Sequence, residues 1–350
     1  MRIAHVLEVW TGGISTYVAP LALHQLANGH DVFFVVPDQF VDELRERGFA
    51  ASSYRSSRKP RGVWSATIAV KEILAERKPD VIVAHSTFAG IYTRLLGDEL
   101  SKKVCYIPHG WSFLKRDSSL LSRKCFKLVE SFLSKRGRKV ICMSAQEMHE
   151  ARRAHIPVQK CKLIYTGIAD KSAALEREIN GSPSKLKIGY FGRLDYQKGY
   201  DVLVNASHKF SSQVEVHVFG DVYYGSKSVK SGNNFIHHGW LKASEVDSAM
   251  RAVDVVIIPS RWEGFSLTPL EAMRAAKMVI VTGDSSLSEV VINNFNGRIV
   301  PFLSEDYISD VVNSLTPKAC QILGSNGRRV FEQCFTEARF HSLMDDALNV

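Results

Sequence analysis

At 350 residues the chain exceeds the size at which a single hydrophobic core usually stops growing, so two domains are expected. Hydrophobic residues make up 45% and charged residues 23%, ordinary for a soluble globular protein, and no apolar run approaches the roughly 18 residues needed to cross a bilayer, which excludes a membrane-spanning chain. The formal net charge of +9 sits in the first half: residues 1–170 carry 26 Lys and Arg against 16 Asp and Glu, whereas residues 171–350 carry 19 against 20.

The apolar run Ile3–Leu7 reads as a first β-strand, and Met1 to Glu8 is too short and too polar for a signal peptide, so a cytoplasmic location is expected. A glycine turn into a helix follows, Trp10-Thr11-Gly12-Gly13-Ile14. Gly12 and Gly13 let the backbone approach a ligand and expose helix N–H groups to a phosphate or sugar, although a plain strand-to-helix turn uses the same residues. The spacing is not G-x-G-x-x-G, which argues against a nicotinamide or flavin site. Further strands are expected at Asp31–Val36, Val81–Ala84, Val104–Ile107, Val140–Met143 and Leu163–Tyr165, alternating with helical stretches as in a doubly wound parallel sheet.

Two histidines stand at the ends of these strands, His85 in Ala84-His85-Ser86-Thr87 and His109 in Pro108-His109-Gly110-Trp111. A lone histidine is more often a satisfied core or loop residue, but His109, set between a strand and a glycine, is the better catalytic candidate of the two. The basic excess clusters at Arg55, Arg58, Lys59 and Arg61; at Lys102 and Lys103; at Lys115 and Arg116; at Arg123, Lys124 and Lys127; and at Lys135, Arg136, Arg138 and Lys139. Such a face suits an anionic membrane or a phosphorylated acceptor, each basic residue near anionic lipid contributing on the order of 1 kcal/mol. A solvated basic surface has the same composition. No aromatic-basic RNA-binding pattern, zinc finger or clear helix-turn-helix is present, so nucleic acid is not an expected partner. The six cysteines, Cys105, Cys125, Cys142, Cys161, Cys320 and Cys334, lack any zinc-ligand spacing and read as buried thiols.

The polar stretch Lys171 to Lys185, with Asn180-Gly181-Ser182-Pro183-Ser184, interrupts the alternation and reads as an interdomain linker. Strands resume at Lys187–Phe191, Glu215–Phe219, Phe235–His238, Val253–Ile258, Met278–Val281 and Arg298–Val300. Two Rossmann-like domains facing each other are expected, with the active site in the cleft beyond the carboxyl ends of their strands. The apolar residues Val330, Phe331, Phe335, Phe340, Leu343, Met344 and Leu348 recur at helical spacing in the tail and read as packing residues.

Gly189-Tyr190-Phe191-Gly192-Arg193-Leu194-Asp195-Tyr196-Gln197-Lys198-Gly199 ends a strand at a glycine and delivers two cations to its carboxyl edge. Arg193 as a fork and Lys198 as a point charge can clamp a diphosphate; salt bridges to Asp195 and Asp201 are the plainer reading. Pro259-Ser260-Arg261-Trp262-Glu263-Gly264-Phe265-Ser266-Leu267-Thr268-Pro269-Leu270-Glu271 sets two carboxylates eight residues apart around a strand-to-helix turn. Thr268 or Ser266 can cap the helix, Pro269 suits its first turn, and Glu271 falls within that turn. Carboxylates accept hydrogen bonds from sugar hydroxyls and open N–H groups attract phosphate, so one pocket could hold both halves of a nucleotide-sugar. The competing account makes Glu271 a helix-dipole partner and Glu263 a solvated loop residue.

Taken together, Gly12-Gly13, His109-Gly110, Gly192-Arg193 with Lys198, Glu263 to Glu271, and Asn296-Gly297 resemble glycosyltransferase family four, the group 1 type, across nearly the whole chain. The segment from Glu263 to Glu271 is similar to that family's E-x7-E element. The resemblance implies an α/β GT-B fold: residues 1–170 as an acceptor-binding domain, 171–185 as linker, and 186–350 as a nucleotide-sugar-binding domain whose C-terminal helix is a candidate to return to the first. It implies that Glu263 with Gly264 and Phe265 holds the donor sugar, that Ser266 lines the donor site, and that Glu271 binds the ribose. Arg193 and Lys198 would neutralise the diphosphate, Gly12-Gly13 would close over it, and His109 would stand near the reacting carbon.

A retaining transfer from a nucleotide-diphosphate sugar, with a UDP-sugar as the expected donor, is thus implied, with no required metal or cofactor. Leaving-group charge would fall to Arg193, Lys198 and backbone N–H groups. The acceptor would be a saccharide or a polyprenyl-pyrophosphate-linked saccharide of polysaccharide or O-antigen assembly, met at the inner face of a membrane. A GT-B epimerase and a non-catalytic nucleotide-sugar-binding scaffold subunit are the alternatives. The loop His238-Gly239-Trp240-Leu241 is a candidate for base recognition through its backbone.

Overall fold

Apolar β-branched runs four to seven residues long, flanked by turn residues, can be buried on both faces only in a parallel sheet covered by helices. The computed structural model describes residues 1–115, 118–171, 185–222, 231–283, 285–301 and 303–349, and in it the chain folds as two units, Met1–Thr166 with Phe340–Val350, and Gly167–Arg339. The Asn180 to Ser184 stretch, most of the expected linker and Arg116 lie outside the described residues.

The first unit runs β1 (Arg2–Leu7), α1 (Gly13–Ala27), β2 (Asp31–Pro37), α2 (Asp38–Glu46), β3 (Ala50–Tyr54), α3 (Pro60–Arg77), β4 (Val81–His85), α4 (Thr87–Arg94), α5 (Asp98–Ser101), β5 (Val104–Ile107), α6 (Leu120–Leu133), β6 (Lys139–Cys142), α7 (Ala145–Arg153) and β7 (Cys161–Leu163). Its seven strands are all parallel in the order β3-β2-β1-β4-β5-β6-β7. Sequence periodicity misses β3: Ala-Ala-Ser-Ser-Tyr is small, polar and half exposed, and as an edge strand it pairs only with β2. The edge strand β7 also lies two residues earlier than expected, because its register follows β6 through Val140↔Cys161 and Cys142↔Leu163. Ala4, Val6, Phe33, Val35, Ile82, Ala84, Val70, Leu74 and Tyr106 form one core with the helices that cover it.

The second unit comprises β8 (Leu186–Phe191), α8 (Tyr200–Ser207), β9 (Val214–Phe219), β10 (Phe235–Gly239), α9 (Val246–Ala252), β11 (Val255–Ile258), α10 (Thr268–Arg274), β12 (Met278–Thr282), β13 (Gly297–Val300), α11 (Glu305–Asn313) and α12 (Pro317–Cys334). Its parallel sheet has the order β10-β9-β8-β11-β12-β13 around Ile188, Tyr190, Val216, Ile257, Met278 and Ile280. Strand β11 starts at Val255 because Asp254 turns its carboxylate to the backbone N–H of Lys187 at 2.9 Å. The last helix, α13 (Glu337–Leu348), begins in the second unit and continues into the first from Phe340. Phe331, Phe335, Phe340, Met344 and Leu348 are buried.

Two expectations change. Cys125 and Cys334 are exposed and Cys161 half-buried, since Cys125 lies on the outer face of α6 and Cys334 in the last turn of α12; only Cys105, Cys142 and Cys320 are buried thiols. Part of the basic excess is structural: Lys139 donates to the carbonyl of Ala347 at 2.7 Å and Arg138 to that of Leu348 at 3.3 Å, placing cations at the negative end of α13. Among the described residues no helix is long and apolar enough to cross a membrane.

Candidate active site

In each sheet the strand order reverses once, between β1 and β4 in the first unit and between β8 and β11 in the second. The chain leaves those neighbouring strands in opposite directions, so the loops beyond their carboxyl ends part and leave room for a ligand. Most of the residues singled out by sequence fall at these points, and His109 lies one strand further on. Gly12 and Gly13 follow β1, His85 ends β4 and His109 follows β5; Arg193 and Lys198 follow β8, and Glu263 follows β11.

In the second unit the loop after β8 folds tightly onto the loop after β11. Gly199 makes this possible: its φ of +66° lies in the left-handed region, and a Cβ there would stand 1.8 Å from the carbonyl oxygen of Pro259. Lys198, beside it, donates from Nζ to Glu263 Oε1 at 2.6 Å, and Ser260 Oγ donates to the same oxygen at 2.8 Å. Arg193 Nε lies 3.2 Å from Asp195 Oδ2, and Arg193 Nη2 donates to Gln197 Oε1 at 2.8 Å. Gln197 in turn donates to the carbonyl of Trp262 at 3.2 Å, tying the two loops together. The sequence did not single out Arg261, whose guanidinium grips Asp201 in a fork at 2.6 and 2.7 Å and stacks 3.8 Å over Tyr196. Arg193 and Lys198 thus both stand in salt bridges, Arg193 with Asp195 as the plainer reading had it and Lys198 with Glu263 rather than with Asp201, which Arg261 holds.

Pro259 to Glu271 departs from expectation at the helix start. Neither Thr268 nor Ser266 caps α10; Leu267 already has helical torsions and occupies the cap position, so Thr268 lies inside the helix rather than before it. Glu271 lies in the first turn as expected, and its backbone N–H donates to the carbonyl of Leu267 at 2.9 Å. The carboxylate itself makes no hydrogen bond among the described residues. Burial pushes its pKa above the usual carboxylate range, with Arg274 and Lys171 opposing and Asp247 reinforcing the rise. Asp247 pairs with Arg274 and, at 2.6 Å, with Lys171. The backbone N–H of Gly264 has no hydrogen-bond partner among the described residues, Phe265 is half-buried and tilts towards Phe335, and Ser266 is buried.

Asn296 serves the fold: its Oδ1 accepts from the N–H of Ile292 at 2.6 Å and its Nδ2 donates to the carbonyl of Val290 at 3.1 Å. The loop expected to meet a base starts at His238, whose ring stacks 4.4 Å from Phe219, itself 4.5 Å from Phe191, across the ends of three neighbouring strands. Trp240 beyond it is exposed.

In the first unit Gly12 has φ +58° and caps α1, both glycines being exposed. His109 also has positive φ, +51°, held because Gly110 N–H donates to Glu147 Oε1 at 2.6 Å. Glu147 is buried; its other oxygen accepts from Met143 N–H at 2.8 Å, and its carbonyl accepts from Trp111 Nε1 at 2.9 Å. It thus fastens the loop after β5 to the loop after β6. Sequence reasoning missed Glu147, although Ser144-Ala145-Gln146-Glu147 has the S-x-x-E form of a capping box, and Ser144 does accept from Glu147 N–H at 3.0 Å.

His85, the weaker histidine candidate, is joined to His109: His85 Nδ1 lies 3.0 Å from His109 Nε2. On its other side His85 Nε2 lies 2.9 Å from His5 Nδ1. Leu7 pairs with His85 across β1 and β4, so His5, two residues before Leu7, shares the face of His85. Burial pushes the pKa of His5 down to about 4 and that of His109 down to about 3, and it holds His85 well below the usual range, reinforced by the two flanking rings.

Two doubly wound parallel sheets, one ending in a histidine file and the other in a cation and carboxylate cluster, define a two-domain α/β protein of the GT-B class. Residues 173–330 match the model of glycosyl transferases group 1, and residues 11–171 that of Glycosyltransferase Family 4. The chain belongs to this family and is a transferase enzyme. An uncharacterized 41.2 kDa protein in the cps region of Klebsiella pneumoniae is 28% identical over 348 residues, covering 93% of this chain and 95% of its own. The UDP-Gal:alpha-D-GlcNAc-diphosphoundecaprenol alpha-1,3-galactosyltransferase of Escherichia coli is 23% identical over 287 residues, 75% of this chain and 73% of its own. Among solved structures, Anabaena HepE in complex with UDP superposes with a TM-score of 0.84 at 18% identity, covering 100% of both chains.

Proposed function

We propose that this protein is a retaining glycosyltransferase that moves a hexosyl unit from a UDP-sugar to a saccharide or polyprenyl-pyrophosphate-linked saccharide in cell-surface polysaccharide assembly. The observation that carries the reading is the Lys198–Glu263 pair where the loops after β8 and β11 touch, with Arg193 held on Asp195 in the same loop after β8. A diphosphate arriving there would replace the carboxylate partners of the two cations with phosphate oxygens, so the cations need not be desolvated anew when the leaving group gains charge. Within the second unit Glu271 supplies an acceptor for ribose hydroxyls and Gly264 a backbone donor for a sugar hydroxyl; within the first, His109 offers a polar group to a sugar hydroxyl. UDP in the HepE structure and the UDP-Gal donor of the E. coli relative support uracil as the base. Retention of configuration is the finer part of the reading, and the anomer of the product by NMR tests it.

Thermal shifts with UDP, GDP, ADP, dTDP and CMP, with and without magnesium, test the donor, because a ligand that binds only the folded state raises its stability. A shift with UDP alone, unchanged by magnesium, is expected; no shift with any nucleotide would favour a scaffold that has lost its donor site.

The lipid-linked acceptor and a cytoplasmic, membrane-surface location find support in α6. Leu121, Lys124, Cys125, Leu128 and Phe132 recur at helical spacing on its exposed side, with Leu128 71% and Phe132 65% exposed, while Glu130 on the inner side is buried against Arg94 at 2.8 Å. Arg123 and Lys127 flank this stripe. Apolar tips among basic residues suit the interface of an anionic bilayer. Co-sedimentation with phosphatidylglycerol vesicles but not with phosphatidylcholine vesicles, lost in Leu128→Glu with Phe132→Glu, is the expected result; equal sedimentation with both would remove the membrane reading.

A further inference from the structure

The histidine file of the first unit has a closed end and an open one. At the closed end Gln25, on α1, places Oε1 2.8 Å from His5 Nε2. His5, His85 and Gln25 are fully buried. At the other end His109 Nδ1 has no hydrogen-bond partner among the described residues.

A neutral imidazole carries one N–H and one bare nitrogen, so hydrogen-bonded imidazoles in file must all point the same way. When Gln25 Oε1 accepts from His5 Nε2–H, His5 Nδ1 is bare and must accept from His85 Nε2–H. His85 Nδ1 must then accept from His109 Nε2–H, and His109 is left with a bare Nδ1. The direction of the whole file therefore hangs on one amide. Turned round, that amide would offer N–H to His5 and reverse every tautomer outward to His109.

The surroundings keep the file neutral. Phe34 stacks on His5 at 5.4 Å, and the ring edge of Tyr17 meets His109 at 4.9 Å and His85 at 6.2 Å. The hydroxyl of Tyr17 turns away to Met344 Sδ at 3.6 Å. Glu147, the carboxylate nearest in the chain of contacts, is taken up by the backbone N–H groups of Gly110 and Met143. Gln25 is an amide and cannot take a proton, so the file has no basic terminus into which a charge could be passed.

We propose that Gln25, His5 and His85 are positioning residues that hold His109 as its neutral Nε2–H tautomer, so that a bare Nδ1 is presented as acceptor for a hydroxyl of the sugar substrate. This rests on the reading of His109 as a sugar-site residue. No proton is transferred; the hydroxyl donates a hydrogen bond and keeps its hydrogen.

Long-range ¹H–¹⁵N correlation spectra of the full ¹⁵N-labelled chain read the tautomer directly. His109 is expected with the proton on Nε2 and a bare Nδ1, unchanged from pH 8 to pH 5; a proton on Nδ1, or titration in that interval, overturns the proposal. Gln25→Leu removes the acceptor that sets the direction and is expected to give His109 as a mixture of tautomers, whereas Gln25→Glu keeps an acceptor there and is expected to restore the Nε2–H form. Identical tautomers in both variants would overturn the relay. Should Gln25→Leu fail to fold, the wild-type spectrum and Gln25→Glu still decide. In turnover, His109→Ala is expected to lower kcat at least tenfold with little change in KM. If the tautomer is as stated but His109→Ala is fully active, the sugar-site reading fails and the relay stands.

Discussion

Lys198 and Glu263, 65 residues apart in sequence, are joined at 2.6 Å, with the Glu263 side chain only 7% exposed and the Lys198 side chain 20%. Removing the lysine leaves a largely buried carboxylate with Ser260 as its remaining partner, whereas removing the glutamate frees a cation that can still reach water. Lys198→Ala is therefore expected to destabilise the protein by about 2–3 kcal/mol, below the usual cost of breaking a fully buried pair. Lys198→Met with Glu263→Gln should recover most of that loss. Urea unfolding measures both, and equal stability of Lys198→Ala and wild type would show that the pair contributes nothing. Nucleotide affinity should fall at least tenfold in either variant, since each removes the lysine's charge.

Glu271 is held above the usual carboxylate range by burial. At low pH both folded and unfolded chains carry the proton; as pH rises the unfolded chain releases it first, so stability falls until the folded carboxyl also ionises. At neutral pH the ionised group thus costs stability, and Glu271→Gln is expected to raise Tm at pH 7 and leave it unchanged at pH 4. The same variant should weaken UDP binding about 10- to 100-fold, the range for a lost hydrogen bond to a charged group. A Tm lowered at pH 7, or UDP affinity retained, would count against the assignment.

His5 and His109 carry the opposite sign, their pKa values being pushed down to about 4 and about 3, with His85 well below the usual range too. Above pH 6.5 both states are neutral and nothing is gained or lost. Below it the unfolded chain binds protons that the folded chain refuses, so stability falls as pH drops from 6.5 towards 4. Each histidine contributes a slope of about 1.4 kcal/mol per pH unit in that interval, and three together about 4. Urea midpoints between pH 6.5 and 5 read this slope, and a flat profile would mean that the rings are not buried neutral.

Arg94 and Glu130 are both buried, 2.8 Å apart, with Tyr106 donating to the other carboxylate oxygen at 2.9 Å and its ring 3.9 Å beneath the guanidinium. Glu130→Ala leaves that guanidinium without its carboxylate and is expected to cost about 3–5 kcal/mol. Arg94→Met with Glu130→Leu should cost much less, because a buried pair replaced by apolar groups leaves no charge uncompensated. Because Glu130 fixes which side of α6 faces inward, Glu130→Ala should also blur binding to anionic vesicles.

The sequence by itself determined the two parallel sheets, because runs such as Val81 to Ala84 and Val255 to Ile258 can be buried on both faces only between helices. It also determined that Arg193, Lys198, Glu263 and His109 stand at strand ends, since a glycine or proline closes each strand. It could not reveal β3, an edge strand with no apolar run, nor the true cap of α10, which depends on the torsions of Leu267. Only the tertiary structure decided which of these residues meet. His5, Gln25, His85 and His109 are brought together by the register of β1 against β4 and by the packing of α1, and Lys198 reaches Glu263 because Gly199 lets two loops touch. Patterning along a chain specifies which face of an element is buried; partnership between side chains 65 or 80 residues apart is specified by sheet order and register, which no local pattern encodes.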